Sequence, residues 1–370
     1  MEKQLTVISG DGIGPEVTRE AVKVLNAIAH KFEHHFHYHH VLMGACAIEK
    51  KGVALPEDSL DSALKSDAVL LGAIGDPRFD NDPTAKVRPE QGLLQLRKSL
   101  NLFANIRPVK TYSSIRHLSP IRTPQLHDVD FVIYRELTGG IYFGEKKLSE
   151  DGTTATDLCS YQKYEIERIA RMAFAAARQR RKKLTLVDKA NVLETSRLWR
   201  KTVRDLHEDY PDVELNFLYV DNASMQLILN PAQFDVILTE NMFGDILSDE
   251  ASVISGSLGL LPSASVGEKA LFEPIHGSYP QAANKDIANP LGSILSVAMM
   301  LDHFDAHEEA AAVRNAVEWT LANGFVTRDI DSMNYYGTAT IGDLVVDIIN
   351  NEMPQHINKR NVALGHTTII

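Results

Sequence analysis

Apolar runs of strand length alternate along this chain with segments whose apolar residues recur every three or four positions. After Asp67 the run to Ile74 shows no polar alternation and closes on Gly75-Asp76-Pro77. A strand of that kind has both faces covered. Leu5 to Ser9, Leu184 to Val187, Leu215 to Val220 and Asp235 to Thr239 read in the same way. Between them, Val17, Ala21, Val24, Leu25 and Ile28 line one side of a helix over Val17 to Ala29. Ile166, Ile169, Ala173, Phe174 and Ala177 do so over Glu165 to Arg181. Strand and helix in turn predict an α/β fold with a largely parallel sheet. At roughly 150 residues per domain, the 370-residue chain has material for two domains or one large one.

Charge narrows the partners. Lys and Arg number 38 against 49 Asp and Glu, a formal net charge of −11, whereas nucleic-acid binders ordinarily carry a basic stripe. The densest basic run, Arg178 to Lys183, closes a helical segment, where cations suit the helix C-terminus. No nucleic-acid partner is expected. Apolar stretches fall short of the ~18 residues that span a bilayer, and the first residues run straight into a strand pattern with no signal-peptide architecture. Cys46 and Cys159 are too few for a disulfide framework. A cytoplasmic location with no membrane partner follows as the expectation. The segment His34 to His40 alternates like a half-exposed strand without carboxylate or cysteine partners around it, and reads as surface histidines rather than a metal site. Residues 76 to 90, with Pro77, Pro83 and Pro89, and residues 138 to 160, around Ile141-Tyr142-Phe143, read as long connections. Such segments are often functional.

Several residues could carry chemistry. Gly10-Asp11-Gly12-Ile13-Gly14 joins a strand to a helix with G-x-G-x-G spacing, which is not the dinucleotide fingerprint. It is either a tight turn that needs glycine or a ligand contact. Asp245 and Asp249 lie one helical turn apart, roughly 6 Å on one face, just past the strand Asp235 to Thr239. Like charges so placed call for a cation, and carboxylate oxygens suit Mg²⁺; the alternative is a solvated acidic face. Asp221 and Lys189 each follow a strand, at the sheet edge where ligands bind in open α/β folds. Arg97, Arg107 and Arg135 sit in patterned surroundings. Guanidinium forks grip carboxylates, so three of them suit a di-acid, unless each pairs with a structural acid.

These segments follow one another in a familiar order: Gly10 to Glu16, Arg97, Asn105-Ile106-Arg107-Pro108, Arg135 to Gly144, Asp188-Lys189-Ala190-Asn191-Val192, Asp221-Asn222-Ala223, Asn241 to Glu250, Glu273 to Ser278 and Ile287-Ala288-Asn289-Pro290. From about residue 4 to about residue 348 the chain resembles the isocitrate/isopropylmalate family of β-decarboxylating dehydrogenases, and within it the 3-isopropylmalate branch. The resemblance implies a two-domain α/β fold with a mixed, largely parallel sheet, not of the Rossmann type. Residues 1–102 with 257–370 would form a cofactor-binding first domain. Residues 103–256 would form a second, with the substrate and metal residues and the homodimer contact. It also implies an active site in the interdomain cleft, with Lys189 and Asp221 supplied by the partner subunit. Arg97, Arg107 and Arg135 would hold substrate carboxylates. Asp221, Asp245 and Asp249 would coordinate Mg²⁺ or Mn²⁺, with Asp221 also at the substrate. Lys189 would take the C2 hydroxyl proton, and Tyr142 would protonate the enolate carbon after CO₂ leaves. Gly75, Asp76, Pro77, Glu90, His276, Gly277, Ser278, Gln281, Ile287, Ala288 and Asn289 would contact NAD.

The implied reaction is NAD-dependent oxidative decarboxylation of 3-isopropylmalate to 4-methyl-2-oxopentanoate, in leucine biosynthesis. Leu93, Leu94 and Val192 would meet the substrate's alkyl arm, where burial is worth ~0.8 kcal/mol per CH₂. A third carboxylate would be desolvated there without a partner. Because Leu93 and Leu94 are adjacent on a helix and face different ways, both are not expected to fill its core. One motif departs from the family pattern. After His276-Gly277-Ser278 the family has Ala-Pro-Asp, whereas this chain has Tyr279-Pro280-Gln281, with Lys285 nearby. Gln281 can hydrogen-bond a ribose hydroxyl but lacks the charge that repels a 2′-phosphate. The rival within the family is a dehydrogenase for tartrate, malate or another 3-alkylmalate. Outside it stand a Mg²⁺-dependent hydrolase or lyase and a non-catalytic binding subunit.

Overall fold

The computed structural model describes residues 1–80 and 86–351, so residues 81–85 of the proline-rich connection, Pro83 among them, and the end of the implied first domain lie outside it. Twelve strands occur among the described residues: β1 (Glu2–Gly10), β2 (His35–Val41), β3 (Ala68–Ala73), β4 (Leu102–Lys110), β5 (Asp130–Glu136), β6 (Lys146–Leu148), β7 (Ala155–Asp157), β8 (Lys183–Asp188), β9 (Glu214–Tyr219), β10 (Val236–Thr239), β11 (Pro262–Gly267) and β12 (Ala270–Pro274). Ten form one sheet in the order β2-β1-β3-β12-β11-β4-β5-β10-β8-β9. The expected strands are all present, and β3 is buried along its whole length. The strand expected to end at Val220 stops at Tyr219, and Val220 opens a helix.

The sheet is mixed and mostly parallel. β2, β1, β3 and β12 run together, as do β5, β10, β8 and β9. Between these blocks β11 is antiparallel to both β12 and β4, and β4 is antiparallel to β5. The Gly14–Lys31, Leu291–His303, His307–Ala322 and Thr338–Ile349 helices bury Val24, Leu25, Ile294, Leu301, Val317 and Val345 with Leu70 and Phe272 of the first block. The Lys163–Gln179 and Glu194–His207 helices bury Ile166, Phe174, Trp199 and Val203 with Leu184 and Val236 of the second. The opposite face of that block packs Phe131, Ile133 and Ile237 with Leu227 and Leu247.

The glycine loop is a tight turn. Gly10 and Gly12 have φ of +72° and +57°, and a Cβ on Gly12 would lie 2.0 Å from the Ser278 carbonyl oxygen. Buried Asp11 accepts hydrogen bonds from the backbone N–H of Ala45, Cys46 and Gly75 at 2.9–3.0 Å, tying three loops together.

Three expectations need adjustment. The 138–160 connection contains a two-stranded ribbon, β6 with β7, exposed throughout. The basic run is largely neutralised: Arg178 pairs with Asp212, and Arg180 with Asp130 and Asp235. The histidine segment does form an edge strand with alternating exposure, but the fold supplies carboxylates after all, since His34 meets Glu309 and His37 meets Glu2. No group of three metal-capable side chains forms there or elsewhere among the described residues.

Candidate active site

Strand pairing places the first two arginines. Arg135 on β5 lies opposite Asn105 on β4, and Arg107, two residues further along β4, shares the face of Asn105. Arg107 donates to Asn105 Oδ1 at 2.8 Å, to Ser248 Oγ at 2.9 Å and to Asp249 at 2.7 Å. Arg135 is only 8% exposed. It forks onto Asn241 Oδ1 through Nε and Nη2, at 3.1 and 2.9 Å, and turns Nη1 to Asp245. Arg97, in the last turn of the Pro89–Ser99 helix, donates to Glu273 at 2.7 Å, and its Nε is a buried donor without a partner. Burial pulls the Arg135 guanidinium below its usual range and Asp245 opposes this, while the neighbouring charges of Arg107 and Arg97 add to it. Three cations this close stabilise an anion set between them.

Asp245 and Asp249 project from one face of the Asn241–Ser252 helix, which Glu240 caps by accepting from the Phe243 N–H at 2.8 Å. Tyr142, in the short turn Gly140–Tyr142, donates its hydroxyl to Asp245 Oδ2 at 2.7 Å, with the Arg135 guanidinium 5.7 Å from its ring centre. Burial, and then Asp245, push the Tyr142 phenol above its usual range, so it holds its proton at neutral pH. Five predicted residues, Arg107, Arg135, Tyr142, Asp245 and Asp249, are thus linked directly or through Asn105, Asn241 and Ser248, and Arg97 is near enough to act on Arg135 electrostatically.

Lys189 and Asp221 stand apart from them within one protomer. They follow β8 and β9 and bond each other, Nζ to Oδ1 at 2.6 Å, which holds the Asp221 carboxyl below its usual range. Among the described residues Asp221 forms no three-acid group with Asp245 and Asp249. Val192 accompanies Lys189, its N–H donating to the Lys189 carbonyl, and its side chain is exposed. Leu94 is exposed, whereas Leu93 leans on the Leu96–Leu100 core cluster, so only Leu94 is wholly outside the helix core.

The residues assigned to cofactor fall into two groups. Gly75 (φ +127°), Glu90 and Ser278 meet: a Cβ on Gly75 would lie 2.9 Å from Glu90 Oε1 and 3.7 Å from Ser278 Oγ. His276 Nδ1 lies 3.0 Å from the Gly277 carbonyl and must donate to it, which leaves Nε2 as a buried acceptor without a partner. Burial holds the His276 ring below its usual pKa and so neutral. Gly277 has open space beside it, and Gln281 is exposed on the turn Pro280–Ala282. Ile287 and Ala288 pack with Ile13. The others have structural partners: Asp76 is held by Arg78, beside Pro77 at the head of a short helix, and Asn289 bonds Asp329 and the Leu291 N–H.

Sequence reasoning gave no role to Asn105, Asn241, Ser248 and Glu273, which hold the arginines, although all four lie in the segments that carry the family resemblance. The alternation of Asn105 with Arg107 on one strand face was a usable signal.

The isocitrate/isopropylmalate dehydrogenase family matches residues 4–345. The chain is 51% identical over 352 residues to a 3-isopropylmalate dehydrogenase of Bacteroides fragilis, covering 94% of this chain and 99% of that protein. It is 52% identical over 364 residues to one of Dehalococcoides mccartyi, covering 94% and 100%. Its structure is similar to an isocitrate dehydrogenase of Methylococcus capsulatus at TM-score 0.82 and 36% identity, over 94% of this chain and 99% of that one. A beta-decarboxylating dehydrogenase of Thermococcus kodakarensis gives TM-score 0.80 at 36% identity, over 94% and 96%. A family match over nearly the whole chain, and relatives about 50% identical over almost their full length, show that the chain belongs to the isocitrate/isopropylmalate dehydrogenase family.

Proposed function

We infer that this chain oxidatively decarboxylates 3-isopropylmalate, in leucine biosynthesis, with NAD as hydride acceptor and Mg²⁺ or Mn²⁺ at the aspartates. The observation that carries the reading is the convergence of Arg97, Arg107 and Arg135 beside Asp245, Asp249 and Tyr142. Hard carboxylate oxygens on one helix face fit a divalent cation. The unpartnered His276 Nε2 and the glycine at Gly75 fit a hydroxyl-bearing nucleotide. When bound, the cation supplies Lewis acidity at the substrate hydroxyl and the nicotinamide accepts a hydride.

The protein's own residues do the rest. The arginines grip the two carboxylates and fix the malate backbone. Lys189, as the neutral amine once its own proton has been lost, takes the C2 hydroxyl proton as the hydride leaves C2. The C3–CO₂ bond then breaks, and Tyr142, protonated at rest, delivers its proton to C3. Exposed Leu94, Leu93 beside it and exposed Val192 next to Lys189 supply apolar surface for an isopropyl arm. Asp221 and Lys189 serve the site of a second copy of the chain in a homodimer. This is supported by exposed Met225, Ile228 and Leu229 on the Val220–Leu229 helix, with exposed Ile246 on the Asn241–Ser252 helix and exposed Val253 just past its end, more exposed apolar side chains than scattered surface residues account for. The exposed β6-β7 ribbon supports it too, because a lone two-stranded ribbon is marginal in water. The division into 1–102 with 257–370 and 103–256 belongs to the same proposal. Neutralisation of the basic run supports the absence of a nucleic-acid partner, and no helix among the described residues is long and apolar enough to cross a membrane.

Absorbance at 340 nm with 3-isopropylmalate, NAD⁺ and Mg²⁺ tests this reading. Steady NADH production with the metal and none without it is expected. Across a panel of 3-alkylmalates, kcat/KM should fall about fourfold per methylene removed, and isocitrate or tartrate should be poor. Preference for tartrate would favour the rival dehydrogenase. NAD⁺ should clearly outperform NADP⁺ because Gln281 adds no positive charge; comparable kcat/KM with the two would refute that preference.

A further inference from the structure

Behind the site lies a buried polar network that the reaction does not touch. Asn241, 1% exposed, accepts from Arg135 Nε and Nη2 on its Oδ1 while its Nδ2 donates to the Gly139 carbonyl at 3.1 Å. Its backbone N–H donates to the Tyr161 hydroxyl at 3.0 Å, and that hydroxyl donates to Glu240 at 3.1 Å. Tyr161 also fills the space under the turn that carries Tyr142. Gly140 has φ +74°, and a Cβ there would lie 2.2 Å from the Tyr161 hydroxyl. Glu136 holds the other end of that turn by accepting from the Thr138 and Gly139 N–H groups at 2.7–3.1 Å.

Asn241 therefore has two functional neighbours at once. One edge of its amide uses up the Nε/Nη2 side of the Arg135 fork, so that Nη1 is the edge left to face the site. Its other edge fixes the backbone three residues before Tyr142. Asn241 Nδ2 is the one side-chain donor to Gly139 O among the described residues, so an acceptor-only side chain at 241 would hold the arginine but loosen the turn.

We propose that Asn241 is the positioning residue that sets the Tyr142 hydroxyl and the Arg135 guanidinium in register, with Tyr161 as its support. The inference rests on the function proposed above. A side chain acting this way controls the final proton delivery separately from the carboxylate grip. The two amide edges can be separated by substitution: Asn241→Asp keeps an acceptor for Arg135 and loses the donor to Gly139, whereas Asn241→Ala loses both.

The test uses the full-length enzyme with 3-isopropylmalate, NAD⁺ and Mg²⁺. Asn241→Asp is expected to leave substrate KM within about twofold and first-turnover NADH formation near the parent rate. Its steady-state kcat should fall about tenfold, with a solvent deuterium isotope effect on kcat larger than the parent's. Asn241→Ala should show the same fall with KM raised as well. Tyr161→Phe, which leaves Asn241 and Arg135 in place, should show a smaller fall in kcat with the same rise in isotope effect, and decides the matter should the 241 variants not fold. Equal losses in first-turnover and steady-state rates with an unchanged isotope effect, or no change in either, would overturn the proposal. A parent enzyme that forms no NADH from 3-isopropylmalate would instead refute the function itself.

Discussion

Lys189→Ala is expected to lower NADH formation by about 10²- to 10⁴-fold, the range general-base residues command, with the loss in the hydride-transfer step. Tyr142→Phe should lower turnover in the same range through the final protonation. The stronger result comes from combining them. Within one protomer Lys189 bonds Asp221 rather than any member of the Arg135–Asp245–Tyr142 group. If each site draws Lys189 from the other copy, a heterodimer of the two variants carries one site with both changes and one with neither. Random reassortment of the two inactive homodimers should therefore restore roughly a quarter of the parental activity. Mixing after dissociation and refolding, followed by the 340 nm assay, reads this directly. No recovery would place both groups in one protomer's site and remove the shared-site account.

Asp245→Asn is expected to have the next largest effect. It preserves volume and removes a charge that has two neighbours: Arg135 Nη1 and the Tyr142 hydroxyl both donate to this carboxylate. It also removes one of the oxygens proposed to hold the divalent cation, whose contribution to such reactions is several kcal/mol, so turnover should fall about a thousandfold at ordinary Mg²⁺. The Mg²⁺ concentration for half-maximal activity should rise steeply. A variant with the parental Mg²⁺ midpoint would exclude Asp245 from the metal set, whatever its turnover.

The parallel blocks were legible because strands such as β3 are apolar from end to end and their helices carry one-sided stripes. The junction was not: β11 opens on Pro262-Ser263-Ala264-Ser265 and lacks the continuous apolar run of β3, and its antiparallel pairing with β4 joins residues far apart in the chain, which no local pattern records. At the site, Asp245 and Asp249 were readable from helical spacing alone. The partners of the arginines were not, since Arg97 meets Glu273 across 176 residues and Arg135 meets Asn241 across 106. Family resemblance gave the arginines a role, but it gave none to Asn105, Asn241 or Tyr161, whose part is to hold other side chains. Leu93 shows the limit of reasoning from adjacency: helix neighbours face different ways, yet a partly buried position can still lean on the core.

Each acid proposed to bind metal already faces a base of the same protein: Asp245 with Arg135, Asp249 with Arg107, Asp221 with Lys189. A dication arriving alone would have to detach these cations and leave them uncompensated, and a dianion arriving alone would strand the acids. Arriving together, they exchange every partner like for like. Each ligand then lowers the other's dissociation constant by the same factor, and a protein held this way retains neither mineral ions nor stray dicarboxylates tightly while its true substrate is scarce.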